Sequence, residues 1–250
     1  HVGAAIVYSG GGCDQMWKAD IPTLYYALSE CNSTIGAKVQ LAATPLLARQ
    51  MDSTVYTDIL PPGINTRALR NYQKTDDTFT VGIISTQSKY PDQLIAYILD
   101  NLPNDILVCM TTLDTYKDKS PVPEAIARKK QGGVIYNAPL KFEAGINYLY
   151  RCDLLLHEGP ATEYYSRTVI ESMALGRPVI CMPGNVADQF TDRFMIKVQT
   201  YPEMLEKILE LRKDKPKYKT YADDCQLRAA WEDISLNNER FRQALRMVGV

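Results

Sequence analysis

The sequence predicts an α/β protein: a doubly wound, parallel, Rossmann-like sheet over residues 75–228, plus part of a second Rossmann-like domain. Three observations carry this. From residue 79 onward short apolar runs alternate with amphipathic stretches. The runs are apolar at successive positions rather than at every second one, as burial on both faces requires, and such strands alternating with helices form a parallel sheet covered on both sides. The chain has 250 residues, enough for one complete α/β domain and a portion of another.

Phe79 to Ser85 reads as the first strand of the series. A helix follows from about Pro91, with Leu94, Ile95, Ile98 and Leu102 on one stripe. Ile106 to Met110 is the next strand, and Val122 to Gln131 a helix with Pro123 in its first turn. A strand ends near Asn137, and a helix runs from Lys141 to Arg151. Asp153 to Leu156 is a strand, Arg167 to Leu175 a helix, and Pro178 to Met182 a strand. Phe194 to Val198 closes the series before a helix beginning near Pro202. The basic stretch 207–219 is expected to be a solvated helix end and loop, with an i,i+4 pair between Glu203 and Lys207. Residues 229–250 are expected to form a helix that crosses back towards the N-terminal domain.

Residues 1–74 hold less. Val2 to Tyr8 reads as a strand, Ile21 to Cys31 as a helix, Ala37 to Ala43 as a strand and Leu46 to Met51 as a short helix. Two strand–helix units are too few for a Rossmann domain, so the last part of one is expected. Segment 61–78 opens with Pro61, Pro62 and Gly63, turns polar, and reads as an interdomain linker. With His1 in place of Met, the chain is expected to be processed, tagged or cut from something longer.

Composition excludes some functions. With 46% apolar and 23% charged residues the chain is ordinary for a globular protein, and its net charge of −1 provides no overall field for nucleic acid or an anionic membrane. No apolar run approaches the roughly twenty residues that span a bilayer, and no signal-peptide pattern opens the chain. Cys13, Cys31, Cys109, Cys152, Cys181 and Cys225 are scattered without metal-ligand spacing. A reduced cytoplasmic setting is expected, and no structural zinc. Asn32-Ser33-Thr34 matches a glycosylation acceptor, a pattern short enough to arise by chance.

The informative stretch is 157–183, HEGPATEYYSRTVIESMALGRPVICMP: a strand end, a loop, a short helix and a stop. Gly176 can leave the helix in a left-handed conformation, and Pro178 prevents continuation. The loop lies at the carboxyl end of a parallel strand, where open α/β sheets place ligands. Amides of Ser166, Arg167 and Thr168 at the helix start suit phosphate oxygens by charge and geometry. Glu163 precedes that helix and Glu171 lies about one turn inside it. A carboxylate accepts hydrogen bonds from two neighbouring hydroxyls, so two acids flanking an anion site match the diol–diphosphate–diol order of a nucleotide-sugar.

EYYSRTVIESMALGRPVI resembles the signature of the group 1 retaining glycosyltransferases of GT-B fold, whose two glutamates are separated by seven residues and followed by a small-residue helix and a Gly-x-Pro lead into a strand. The resemblance covers about residues 40–240: LPPGINTRAL (60–69) is similar to the family's interdomain segment, FTVGIISTQSKYPDQLIAYI to its opening strand and helix, and Trp231 to a frequent aromatic near its final helices. It implies that residues 1–74 are acceptor-side and 75–228 bind the donor. It assigns Glu163 to the donor-sugar hydroxyls and Glu171 to the ribose, with Lys89 on the diphosphate near Gly82. The implied reaction is metal-independent, retaining transfer from a nucleoside-diphosphate sugar, in polysaccharide or glycoconjugate biosynthesis. Its donor is a substrate rather than a cofactor, and its acceptor a sugar, a lipid-linked group or a protein. A place at the inner membrane surface, by peripheral association, stays open.

Departures also follow. Ile83 stands where the family has an Arg after Gly82, and Arg167 is the candidate substitute cation. Tyr164-Tyr165-Ser166 replaces a glycine-rich turn, leaving the backbone less room to approach phosphate. The family's N-terminal-domain histidine has no counterpart beyond His1.

Each residue also has a plainer reading. Two acids at a given spacing are unremarkable among 29 Asp and Glu, and it is the surrounding strand–loop–helix pattern that lifts Glu163 and Glu171 above surface acids. Lys89 could equally be a solvated loop residue. Tyr136, Ala138 and Leu140 follow a strand and either pack the nucleobase or the core. Gly10-Gly11-Gly12 is more readily a turn than a phosphate cradle, and His157 a structural residue rather than a proton carrier. The rival functions are a non-catalytic sugar-nucleotide-binding or assembly module and a sugar-nucleotide 2-epimerase of the same fold. A Rossmann oxidoreductase is weaker, for want of the glycine fingerprint.

Overall fold

The computed structural model describes residues 5–9, 23–27, 39–51, 53–72, 74–84, 91–111, 120–129, 134–137, 142–159 and 163–248, with the backbone alone at 5–9, 23–27, 58, 84, 111, 134–137 and 142–145. The chain divides into two compact units. The first comprises His1–Asn65, Ala161–Arg167 and Trp231–Val250; the second comprises Thr66–Pro160 and Thr168–Ala230.

In the first unit, strands β1 (Ala5–Ser9), β2 (Thr23–Ala27) and β3 (Val39–Ala42), helix α1 (Pro45–Ala48) and strand β4 (Tyr56–Ile59) form a parallel sheet in the order β1-β2-β3-β4. Within the helix expected over 21–31, the described residues Thr23–Ala27 are instead strand β2. Its five residues, Thr-Leu-Tyr-Tyr-Ala, open on a β-branched residue and carry two adjacent aromatics, and hydrogen bonding to β1 and β3 on either side satisfies the backbone without a helix. The half-polar β4 has no strong apolar signal of its own. Thr44 caps α1 by accepting from the Leu47 amide at 3.2 Å.

The second unit opens with α2 (Thr66–Arg70), inside the stretch that reads as linker. It continues with β5 (Thr80–Ile84), α3 (Asp92–Asn101), β6 (Leu107–Thr111), α4 (Val122–Arg128), β7 (Val134–Asn137), α5 (Phe142–Leu149), β8 (Leu154–His157), α6 (Arg167–Ala174), β9 (Val179–Cys181) and β10 (Ile196–Lys197). All six strands are parallel in the order β10-β9-β8-β5-β6-β7, the doubly wound arrangement. One face packs Val81, Ile83, Val108, Met110, Leu154, Leu156 and Ile180 against α3, α4 and the helix after β10. Lys74 anchors the start of the sheet: its ammonium meets Asp153 Oδ2 at 2.6 Å, and the same oxygen accepts from the Thr80 amide at 2.7 Å.

Helices α7 (Tyr201–Lys213) and α8 (Lys215–Ala229) overturn the expected loop within 207–219. The break is the single residue Asp214, whose carboxylate accepts from the Lys217 amide at 2.9 Å, so α8 starts as α7 ends. Nor does Glu203 pair with Lys207. Glu203 accepts from the Gln199 amide at 2.7 Å at the head of α7, and Lys207 meets Glu210 at 2.8 Å. Helix α9 (Ile234–Met247) belongs to the first unit, where Ala244 and Val248 pack on Val39, Leu41 and Leu60. Among the described residues no helix is long and apolar enough to cross a membrane.

Candidate functional site

The doubly wound order puts a crevice at the carboxyl ends of β5 and β8. These neighbours lie mid-sheet, but the chain leaves β5 towards β6 and leaves β8 towards β9, on opposite sides. After β8 come Glu158 and Gly159, and after Ser166 the chain turns into α6. The first turn of any α-helix has N–H groups without intrahelical acceptors, so the start of α6 presents donors and positive potential.

Helix α6 stops as its sequence predicts. Gly176 has φ +68°; its amide donates to Met173 O at 2.9 Å, and the Arg177 amide to Ser172 O at 2.9 Å. This double closure consumes the last carbonyls of the helix. Val169 to Ala174 are all buried, so α6 is a packed element and not a solvated one.

Glu171 is only 6% exposed. Its charge is felt by Tyr150, whose hydroxyl burial pushes above the ordinary tyrosine range, helped by neighbouring Tyr72 and by Glu171. Tyr72 and Tyr150 stack with centroids 3.7 Å apart. Glu163 belongs to the first unit, half-buried, with Oε2 screened from solvent. Ser166 is buried, Thr168 half-buried and Arg167 exposed. Lys89, Ala138 and Leu140, like Gly10 to Gly12, lie outside the described residues, and Tyr136 is described only as backbone in β7.

Gly82 sits in the middle of β5, where a Cβ would meet Cys152 Sγ at 2.8 Å and Leu154 O at 3.2 Å. Its missing side chain leaves room for Cys152 and the start of β8 to lie close beside β5. Ile83 is fully buried in the core and supplies no cation. His157 is buried at the end of β8, and its carbonyl accepts from the Met182 amide at 3.0 Å. Cys109, Cys152, Cys181 and Cys225 are buried free thiols. Among the described residues no three His, Cys, Asp or Glu side chains gather as metal ligands.

Two features escaped sequence reasoning. Glu158, the first residue beyond β8, is half-buried; burial raises its pKa, and the Tyr201 hydroxyl, donating to Oε1 at 3.4 Å, opposes the rise. An acid one step past a central parallel strand was the available signal. The second feature is Tyr164 and Tyr165. Their rings engage the first unit: Tyr164 is 5% exposed among Ala42, Ala43 and Leu47, and the Tyr165 hydroxyl lies 3.0 Å from Pro62 O and 2.9 Å from Glu232 Oε2. Nothing local in the sequence reveals partners that far along the chain.

No protein-family profile matches the sequence, and no curated protein matches it. Solved structures match its fold. A crystal structure of Anabaena HepE in complex with UDP superposes with a TM-score of 0.72 at 16% identity, covering 90% of this chain and 72% of that one. A glycosyltransferase from Rickettsia africae gives 0.74 at 13% identity, covering 98% and 77%. The chain has the GT-B fold. Sucrose-phosphate synthase of Thermosynechococcus elongatus, at 0.70 and 14% identity over 92% of this chain and 69% of that one, shares it. With the GT-B assignment, the doubly wound second unit and the parallel sheet of the first are the two Rossmann-like parts that the sequence predicts.

Proposed function

We propose that this chain is a glycosyltransferase, moving a sugar from a nucleoside-diphosphate sugar to an acceptor hydroxyl with retention of anomeric configuration and without a metal ion. In the transfer the bond from the anomeric carbon to the β-phosphate oxygen breaks and its electron pair leaves with the diphosphate; the acceptor oxygen bonds to that carbon on the same face, and its hydroxyl proton passes to the departing diphosphate oxygen. Charge gathers on the departing diphosphate. The amides at the start of α6, Arg167 and Lys89 stabilise it electrostatically. Glu163 holds the sugar hydroxyls and Glu171 the ribose. Tyr136, Ala138 and Leu140 line the base, and Ser166 and Thr168 flank the phosphates. The acceptor is a sugar, a lipid-linked group or a protein, and the setting cytoplasmic.

The observation that carries this reading is Glu171: a carboxylate 6% exposed, one turn into a helix that starts at the switch point of a GT-B sheet. UDP and UDP-glucose occupy crystal structures of Anabaena HepE, which supports a nucleotide ligand for the same fold. Isothermal titration of UDP and GDP against the wild type and Glu171→Ala tests the assignment. Hydrogen bonds to a charged acceptor contribute about 1.5–3 kcal/mol each, so the variant should bind at least about tenfold more weakly. Unchanged affinity refutes the ribose role.

The buried Ile83 favours a second reading, a sugar-nucleotide-binding module without turnover, since a diphosphate cation is missing there. Nucleotide binding without donor consumption would select it.

A further inference from the structure

We infer that Tyr165 is a positioning residue: its hydroxyl, held between Pro62 and Glu232, fixes the segment that carries Glu163 and so sets how that carboxylate meets the donor sugar. The inference rests on Glu163 being the sugar contact. The Tyr165 hydroxyl has Pro62 O at 3.0 Å and Glu232 Oε2 at 2.9 Å, so one proton is shared between two acceptors. One acceptor is a backbone carbonyl and the other a side-chain carboxylate, and the stretches that carry them are held to each other and to the rest of the unit. The Ile64 amide donates to Glu232 O at 3.1 Å and the Ile234 amide to Ile64 O at 2.8 Å, tying the two stretches together. The Leu60 amide donates to Ala42 O at 2.8 Å, and Asn237 Nδ2 to Pro61 O at 2.7 Å. Gly63 packs so closely on Ile234 that a Cβ there would lie 2.9 Å from its Cα. Glu232 itself is 3% exposed, so its charge-assisted bond is shielded from water.

Tyr164 supplies the second anchor. Its ring is buried among Ala42, Ala43 and Leu47, and its hydroxyl accepts from Gln50 Nε2 at 3.2 Å. Two adjacent residues, each tied at the far end of a rigid side chain, remove the rotational freedom of the segment 163–166. A ligand contact held this way loses less conformational entropy on binding than one on a free loop. The tyrosines therefore do for Glu163 what supporting hydrogen bonds do for other site residues, locking it before substrate arrives.

The test uses the full chain and Tyr165→Phe, which keeps the ring and deletes only the hydroxyl. Amide hydrogen exchange in the free protein reads the clamp: residues 163–166 should exchange at least about tenfold faster in the variant, while β3 and α9 stay unchanged. Titration with UDP and with UDP-glucose reads the positioning. The variant should bind UDP within about twofold of the wild type, yet lose most of the extra affinity that the glucosyl group confers. Unchanged exchange overturns the clamp, and faster exchange with an intact glucosyl increment overturns its role in sugar binding. A wild type that binds neither ligand refutes a UDP-sugar donor instead, with the exchange result still deciding the clamp.

Discussion

Gly82→Ala separates a packing role for this glycine from a donor-binding one. The new Cβ would fall 2.8 Å from Cys152 Sγ, a separation that real Cβ atoms do not adopt, and 3.2 Å from Leu154 O, a backbone atom of the adjoining strand β8. Overpacking of this kind costs about 1–3 kcal/mol, while replacing a strand glycine recovers roughly 0.5–1 kcal/mol of chain entropy. A net loss of about 1–2 kcal/mol is expected. Cys152→Ala removes the offending sulfur and leaves contacts of 3.2 and 3.3 Å, which a shift of a few tenths of an ångström relieves. Deleting the buried sulfur alone should cost about 1 kcal/mol. The double variant is then expected to be no less stable than Gly82→Ala, with a coupling of about 1–2 kcal/mol. Native-state exchange of the Val81 and Ile83 amides reports unfolding of this unit. Costs that add within about 0.5 kcal/mol would refute the close-approach argument. Wild-type UDP affinity in the double variant would assign Gly82 to packing alone.

Gly176→Ala should destabilise the second unit by about 1–2 kcal/mol, because φ +68° is costly for any residue with a Cβ; a gain in melting temperature would contradict the capping account. Glu158→Gln should raise the melting temperature at pH 7. Burial lifts the folded-state pKa of Glu158 above its ordinary value, so its contribution to stability is full below the ordinary carboxylate range and is lost as pH rises through the raised value. The difference between the two proteins should vanish in acid, and identical melting temperatures from pH 4 to pH 8 would show that the carboxyl carries no such penalty.

The second unit was legible because its signals are local. Runs such as Leu154 to Leu156 report burial on both faces without reference to any partner, and Gly176 with Pro178 marks the end of α6 wherever that helix packs. Glu171 was legible for the same reason, since its place one turn into α6 follows from helix period alone. Misreadings fell where two local patterns compete. The run Thr23–Ala27 fits either period, and only β1 and β3 on its flanks make it a strand. Around Asp214 the basic composition hides a cap, because the same Asp both ends α7 and begins α8.

Sequence alone determined the alternation of buried strands with helices, hence the parallel sheet, its crevice and the helix that opens there. These depend on the periodicity of burial, which each segment carries in its own residues. Tertiary structure decided what Tyr164 and Tyr165 do, why position 82 must be glycine, and how far Glu171 is withdrawn from water. Those outcomes are set by atoms from distant parts of the chain. A hydroxyl whose acceptors stand 103 and 67 residues away has no pattern in its own neighbourhood to announce them.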